Sequence, residues 1–530
     1  MNAQLAAEAV TDPGELLKAF SEGRVERATK PIQRIDTHLS HVFISESRAY
    51  KLKRAVRMPF VDFSTAELRR AACQAELETN RRLGSPLYLD VLPVARRRDG
   101  GFCLGGEGDI VDWVVVMRRF DQSQQFDELA KSEKLTAELV LRTAGRIAAM
   151  HDAAAPNRLA GHAADYRHVI RNLRKTEEDG ADKLGLIIGD PAPFDALDAE
   201  LARVDPLIER RRSRGKVRRG HGDLHLRNIC LFEGKPEPFD ALEFDERLAT
   251  TDVLYDLAFF LMDLRRVGLA AQANAAMNRY WDTAQEDEEG LRLLPFFMAL
   301  RATVRMAVAI EAGQLVEAHA YRRLAFELLT HRPPALVAIG GLSGTGKSEV
   351  AKIIASELPG PAGARLLRSD VLRKRALGLA PEEARAKADA YAPAQRAQTY
   401  RDLGSHVVEA VAAGASVVAD ATFTVSSTRE AILSIPHART YAFWLNAPVS
   451  VRLARIAARK QDASDADVRV ALAQMEPVKL GLRWRRLDAT RPVNATASDI
   501  LQDVRQADAA AELAAARGDH GQVRQTADRI

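Results

Sequence analysis

Gly341-Leu342-Ser343-Gly344-Thr345-Gly346-Lys347-Ser348 reads G-x-x-x-x-G-K-[S/T] in full. Two glycines, one lysine and one hydroxyl at this spacing are what a phosphate-binding loop requires. The apolar run 335–339 before it reads as a strand, and Glu349-Val350-Ala351-Lys352-Ile353-Ile354-Ala355 after it reads as a helix. In that setting the backbone N–H groups from Gly341 through Ser343, Gly344, Thr345 and Gly346, with the helix N-terminus, cradle phosphate oxygens. Lys347 reaches the β- and γ-phosphates, and the Ser348 hydroxyl sits on Mg²⁺. The loop implies a bound nucleoside triphosphate. A glycine-rich turn that binds nothing would not need the flanking strand and helix.

Just upstream, His331-Arg332-Pro333-Pro334 marks a boundary, because a proline pair stops a helix and a new strand begins at once. Beyond it the pattern alternates strand and helix, with strands expected at 335–339, 364–367, 416–419 and 440–445. That rhythm predicts an α/β domain with a parallel sheet covered by helices. Ligands bind at the carboxyl ends of such strands. The second strand runs into Arg368-Ser369-Asp370, followed by Arg373, Lys374 and Arg375; Asp370 is placed to deprotonate a hydroxyl, with arginines to hold an anionic substrate. The third strand runs into Asp420, a metal-site or substrate-positioning carboxylate. After the fourth strand a helix bears Arg452, Arg455 and Arg459, and residues 460–465 read as a polar lid. Cations on a closing lid neutralise a transferring phosphoryl group, so Arg455 and Arg459 join the nucleotide-binding set. We read the P-loop domain as residues 333–500 and the tail 501–530 as helical or disordered.

The chain has 530 residues, enough for about two to four domains. It is 47% hydrophobic and 28% charged, as ordinary globular proteins are, and its net charge of only +4 does not argue for a nucleic-acid partner, which the lack of a broad basic stripe with interleaved aromatics makes unexpected. The basic excess is local, densest at 210–219, and reads as a solvated loop or a contact for an anion. Three widely spaced cysteines suggest neither disulfides nor zinc and fit a reducing cytoplasm. The N-terminus has no signal pattern, and the apolar stretch 253–264 is too short and too acidic to span a membrane.

Residues 1–332 read differently. A hairpin is expected at 41–45 and 48–53 around Glu46-Ser47, then a helix from Thr65 to Leu83, strands at 88–94 and 111–117, and mostly helix from Phe126. A small sheet with one helix (about 30–120), followed by a helical lobe (about 121–330), is the outline of a bilobal kinase. His221-Gly222-Asp223-Leu224-His225-Leu226-Arg227-Asn228 carries H-x-D-L-x-x-x-N, the spacing of a kinase catalytic loop. In it Asp223 accepts the proton of an attacking hydroxyl and Asn228 holds a metal ion. Asp240, twelve residues after Asn228, stands where a second metal-binding carboxylate belongs. Lys51 or Lys53 would meet the α/β-phosphates and Glu76 would pair with it. The two lysines share a strand face, so spacing leaves both open, with Lys51 favoured because an apolar residue follows it. Met117 to Phe120 would form the adenine-side hinge.

These residues resemble the aminoglycoside phosphotransferase family, a branch of the protein-kinase-like fold. The likeness is carried by His221-Gly222-Asp223-Leu224-His225 with Asn228, by Phe239-Asp240 with Glu243, by Tyr255-Asp256-Leu257-Ala258, and by the helix ending at His151. It implies an α+β kinase-like domain with Asp223 as base and Asn228 and Asp240 on Mg²⁺. The hairpin tip departs from the family in having no glycine. The second half, about 336–474, is similar to P-loop kinases such as gluconate kinases, polynucleotide 5′-kinases and zeta-toxin-like kinases. The whole resembles bacterial bifunctional proteins that join the two. The expected function is an ATP- and Mg²⁺-dependent phosphotransferase with two heads, each acting on a hydroxyl of a small soluble molecule. The alternatives are that one ATP site senses nucleotide for the other, or that the second head is a nucleic-acid end kinase. The family name alone does not make an antibiotic the acceptor.

Overall fold

The computed structural model describes residues 13–25, 32–58, 61–185, 192–379, 383, 393–458, 471–472 and 474–516. The chain divides into two compact units. One comprises Met1–Leu135, Met150–Gly161 and Arg211–Asp256; the other comprises Thr136–Ala149, His162–Arg210 and Leu257–Ile530.

The first unit is built on a six-stranded antiparallel sheet in the order Gln33–Asp36, Ser40–Ile44, Arg48–Lys53, Asp109–Arg118, Tyr88–Arg96, Phe102–Leu104. The hairpin turns at Glu46-Ser47 without glycine because Ser45 closes it. The Ser45 N–H donates to Arg48 O at 2.9 Å, and the Arg48 N–H donates to Ser45 Oγ at 3.3 Å. The helix Ala66–Arg82 starts where Thr65 Oγ1 accepts the Leu68 N–H, a side-chain N-cap, and packs on the sheet through Cys73 and Leu77. One element escaped the sequence pattern. The helix Pro13–Ser21 belongs to the sheet's core, with Phe20 stacked on Phe43 at 4.7 Å between ring centres.

The basic run 210–219 is not a solvated loop. Arg211 is buried and forks onto both carboxylate oxygens of Asp252 at 2.7 and 2.9 Å. Arg218 donates to the carbonyls of His151, Asp152 and Ala154 at 2.7–2.8 Å. These two guanidiniums close loops, so part of the run's charge is structural, while Arg214 is exposed.

The second unit contains helices Ala163–Leu184, Ala270–Ala284, Leu294–Glu311 and Leu315–Leu329, with Pro193–Ser213 as far as Arg210, and then a five-stranded sheet. The sheet is wholly parallel, in the order Arg365–Arg368, Val417–Asp420, Ala335–Gly341, Arg439–Asn446, Trp484–Asp488. Four strands fall where the alternation places them; the fifth was not anticipated. The helix Val493–Ala516 packs Ile500, Leu501 and Val504 into the core beside Val350 and Ile354, so this stretch of the tail is part of the domain. One stretch, Glu288–Glu311, is long and apolar enough to cross a membrane, but 78% of its apolar window is buried inside the protein. The expected classes therefore hold: α+β elements first, then an α/β P-loop domain on a parallel sheet.

Two candidate active sites

In the first unit, Lys51 and Lys53 are two residues apart on one strand and so face the same way. Both meet Glu76, which the helix Ala66–Arg82 presents fully buried. Lys51 Nζ is 2.8 Å from Glu76 Oε1 and also pairs with Asp240; Lys53 Nζ is 2.6 Å from Glu76 Oε2 and pairs with Glu243. Burial opposes the charge on each lysine, but the carboxylates outweigh it and raise both pKa values. Burial likewise pushes Glu76 up, and the two ammonium groups more than offset it, holding the carboxyl at about 2. Glu243 goes the other way, raised chiefly by burial. The lysines differ in access: the Lys51 side chain is 11% exposed and reaches Asp240, whereas that of Lys53 is 1% exposed.

The catalytic-motif loop lies between the strand Val217–Arg219 and the hairpin Ile229–Phe232/Lys235–Pro238. Asp256 pins its start. The buried carboxylate accepts the N–H of His221 and of Gly222, each at 2.8 Å, and lies 3.1 Å from His151 Nε2. A side chain at position 220 would put Cβ 2.5 Å from Asp256 Oδ2, so only glycine permits this approach. The family-like segments around His151, His221 and Asp256 thus meet at one point. Asn228 Nδ2 donates to Asp223 Oδ2 at 2.9 Å and to Asp223 O at 3.0 Å, so the amide nitrogen is engaged and the carbonyl oxygen is the side chain's acceptor atom. His225 Nε2 lies 3.3 Å from Asp223 Oδ2. Phe120, on the expected hinge, packs on Phe239 at 5.0 Å.

His221 is fully buried and held neutral. Burial lowers its pKa below 6.5, although Asp256, Asp223 and Asp240 pull it upward. Nε2–H donates to Phe239 O at 2.9 Å, and Nδ1 faces the Asp223 N–H at 3.4 Å. A histidine kept neutral in the fold but free to charge when unfolded contributes stability above its unfolded pKa. That stability is lost as pH falls from there toward the lowered folded value. Thermal unfolding should therefore show stability dropping below about pH 6.5, with a shallower slope in His221→Gln. An identical slope in that variant would exclude His221 as the source.

In the second unit, the loop after Ala335–Gly341 enters the helix Lys347–Glu357. Gly344 has φ +86, and a Cβ there would lie 2.5 Å from Arg452 O, so the backbone passes where no other residue fits. Ser348 Oγ donates to Asp420 Oδ2 at 2.6 Å, bringing together the two expected metal ligands. Lys347 Nζ donates to Leu342 O at 3.2 Å, and Arg455 Nη1 to Thr345 O at 3.2 Å. Arg368 lies 3.5 Å from Asp420 Oδ2. Asp370 is in the first turn of the helix Ser369–Ala376 and accepts from Arg373 at 2.7 Å. Arg459 and residues 460–465 lie outside the described residues. Among the described residues, no group of three or more His, Cys, Asp or Glu could hold a metal alone.

Residues 336–480 match the family model described as AAA domain. This segment is a P-loop domain. Over a longer span the chain is 28% identical, across 456 residues, to an uncharacterized protein of Mycobacterium tuberculosis strain H37Rv, covering 83% of this chain and 88% of the relative. A counterpart in Mycobacterium bovis matches equally. Among solved structures, a gluconokinase from Sinorhizobium meliloti covers 34% of this chain and 98% of its own, at 18% identity and a TM-score of 0.26. A choline/ethanolamine kinase family protein from Mesorhizobium loti covers 59% and 94%, at 14% identity and a TM-score of 0.39. At these scores the fold stands on the chain's own strands, loops and ion pairs.

Gln474 escaped sequence reasoning. Its Oε1 accepts the Ser343 N–H at 2.8 Å and its Nε2 donates to Ser343 Oγ at 3.0 Å, on the phosphate loop itself. No local pattern marks a residue that acts from 131 positions away. Tyr400 was missed for the same reason: its hydroxyl meets Thr422 Oγ1 at 3.0 Å and accepts the Phe423 N–H at 2.9 Å, just beyond Asp420.

Proposed function

We propose that the chain is an ATP-dependent phosphotransferase with two nucleotide sites, each passing the γ-phosphoryl group to a hydroxyl of a small acceptor. The observation that carries this reading is the presence of two unrelated cradles in one chain. One sets Lys51, Glu76 and Asp240 with the loop of Asp223 and Asn228; the other sets Lys347 and Ser348 with Asp420. Their oxygen donors suit a small hard dication. Asn228 and Asp240 would hold Mg²⁺ in the first site, Ser348 and Asp420 in the second. Bound there, Mg²⁺ neutralises charge on the phosphate oxygens.

The chain's own groups do the rest. In the first site Glu76 aims Lys51 at the α/β-phosphates. Asp223 takes the acceptor's proton as its oxygen attacks phosphorus and the bond to ADP breaks. In the second, loop N–H groups, Lys347 and Arg455 face the phosphates. Asp370, with Oδ1 held by Arg373, would take the acceptor's proton on its carboxylate. That internal pairing of Arg373 also favours a small acceptor over a nucleic-acid end. The three thiols are buried and unpaired, which suits the cytoplasm.

The test is ATP turnover against a panel of sugars and metabolites, with Asp223→Ala and Lys347→Ala run in parallel. Each variant should abolish one activity and spare the other, the first by about 10²–10⁴-fold. No transfer to any hydroxyl acceptor by the intact chain would sink the reading. In a second reading, one site senses nucleotide for the other. A single acceptor phosphorylated only when both sites are intact would select it.

A further inference from the structure

Asp240 has φ +61, in the left-handed region that a residue with a Cβ seldom adopts. Something must hold it there. Four consecutive backbone N–H groups around it each have a defined acceptor. The Phe239 N–H donates to Asn228 O at 2.9 Å and the Leu242 N–H to His221 O at 2.8 Å, both on the catalytic-motif loop. The middle two go to side chains from elsewhere. The Asp240 N–H donates to Tyr88 Oη at 2.9 Å, and the Ala241 N–H to Asn80 Oδ1 at 3.1 Å.

Both acceptors are tied to Glu76. Asn80 Nδ2 donates to the Glu76 carbonyl at 2.9 Å, and Tyr88 Oη lies 3.5 Å from Glu76 Oε1. Both are buried, with 1% and 4% of their surface exposed. Burial, reinforced by the Glu76 and Asp240 carboxylates, raises the Tyr88 pKa well above its ordinary value, so the phenol keeps its proton for Glu76. The geometry points to Tyr88 and Asn80 as positioning residues that lock Asp240 in its metal-facing conformation and couple it to the Glu76–Lys51 pair. The inference rests on reading this unit as a nucleotide–metal site. Its consequence is that Asp240 and Glu76 hold their places together: losing the latch should weaken metal binding without weakening the grip on the nucleotide alone.

The experiment uses full-length protein carrying Lys347→Ala, which removes the P-loop site. Calorimetry measures the affinity of a non-hydrolysable ATP analogue with and without Mn²⁺. Tyr88→Phe keeps the buried ring and deletes only the hydroxyl. It should cut the metal-dependent gain in affinity by about five- to ten-fold, the scale of one lost hydrogen bond, and leave metal-free affinity within about two-fold. Asn80→Ala should act in the same direction, and Tyr88→Phe keeps the test decisive should Asn80→Ala fail to fold. An unchanged metal-dependent gain in Tyr88→Phe overturns the proposal. So does an equal loss with and without metal, which would mean a merely structural hydroxyl. If the protein with Tyr88 and Asn80 intact binds no metal–nucleotide, the functional reading itself fails, and that outcome is distinct because it precedes any substitution in the latch.

Discussion

Arg365→Met is expected to destabilise the second unit by about 3–5 kcal/mol, the cost of leaving a buried charge without its partner. Arg365 begins the strand Arg365–Arg368, the edge of the parallel sheet. Its side chain is 1% exposed and pairs with Glu288 at 3.0 Å and Asp282 at 2.8 Å, while Nη1 donates to Asn278 Oδ1 at 3.0 Å. Burial pushes the Glu288 carboxyl up, and Arg365 with His406 more than offsets it. Methionine fills similar volume, so the loss would be electrostatic and not a cavity. Glu288 would then be buried with, among the described residues, His406 as its remaining ionic partner, 3.3 Å away.

The same helix, Ala270–Ala284, covers the strand's backbone. Asn274 Nδ2 donates to the carbonyls of Ala362 and Ala364 at 2.8 Å, and Asn278 Oδ1 accepts the Leu366 N–H at 2.7 Å. An edge strand otherwise exposes unpaired groups that recruit other chains. A chain beginning at Pro333 should therefore aggregate or unfold, although the proline pair looks like a domain boundary. Replacing Arg365, Glu288 and Asp282 together with apolar residues should cost less than Arg365→Met alone. Urea unfolding followed by tryptophan fluorescence reads all of these. A loss under about 1 kcal/mol for Arg365→Met would place the network among weak surface pairs and remove the argument.

What the sequence made legible is what depends on neighbours along the chain. The phosphate loop, its strand and helix, the Ser45–Arg48 turn and the helix capped by Thr65 all rest on contacts within a few residues. The candidate site residues could be named from the sequence because the chemistry proposed for them fixes residue type and spacing. The strands Gln33–Asp36 and Trp484–Asp488 were not, because they lie at sheet edges and are mostly polar, so alternation of burial leaves little trace. The arginines of 210–219 read as solvated because their partners are distant in sequence: Asp252 lies 41 residues from Arg211. Tyr88 and Asn80 bond to residues 152 and 161 positions away. Only the folded chain reveals them.

Lys51 and Lys53 could not be separated by spacing, and their surroundings now predict opposite consequences for the same substitution. Lys51→Met should leave the fold nearly intact while reducing the first site's phosphotransfer by about 10²–10³-fold, the scale for removing one preorganised cationic or hydrogen-bonding group from a developing charge. The reason is its placement. Lys51 touches Asp240, whose side chain is 41% exposed, so water can reach the carboxylate that the ammonium leaves behind. Glu76 meanwhile keeps Lys53 at 2.6 Å. Lys53→Met removes the ammonium from between two buried carboxylates, Glu76 and Glu243, whose side chains are 0% and 6% exposed. Like charges in a dry site cannot both remain ionised, so Glu243, already raised by burial, should take up a proton at neutral pH. The expected cost is about 3 kcal/mol of stability, with much of the activity retained in the molecules that stay folded. Denaturant midpoints and turnover per folded molecule separate the two effects. If Lys53→Met instead abolishes turnover with an unchanged midpoint, the phosphate contact is Lys53 and the assignment of Lys51 is wrong.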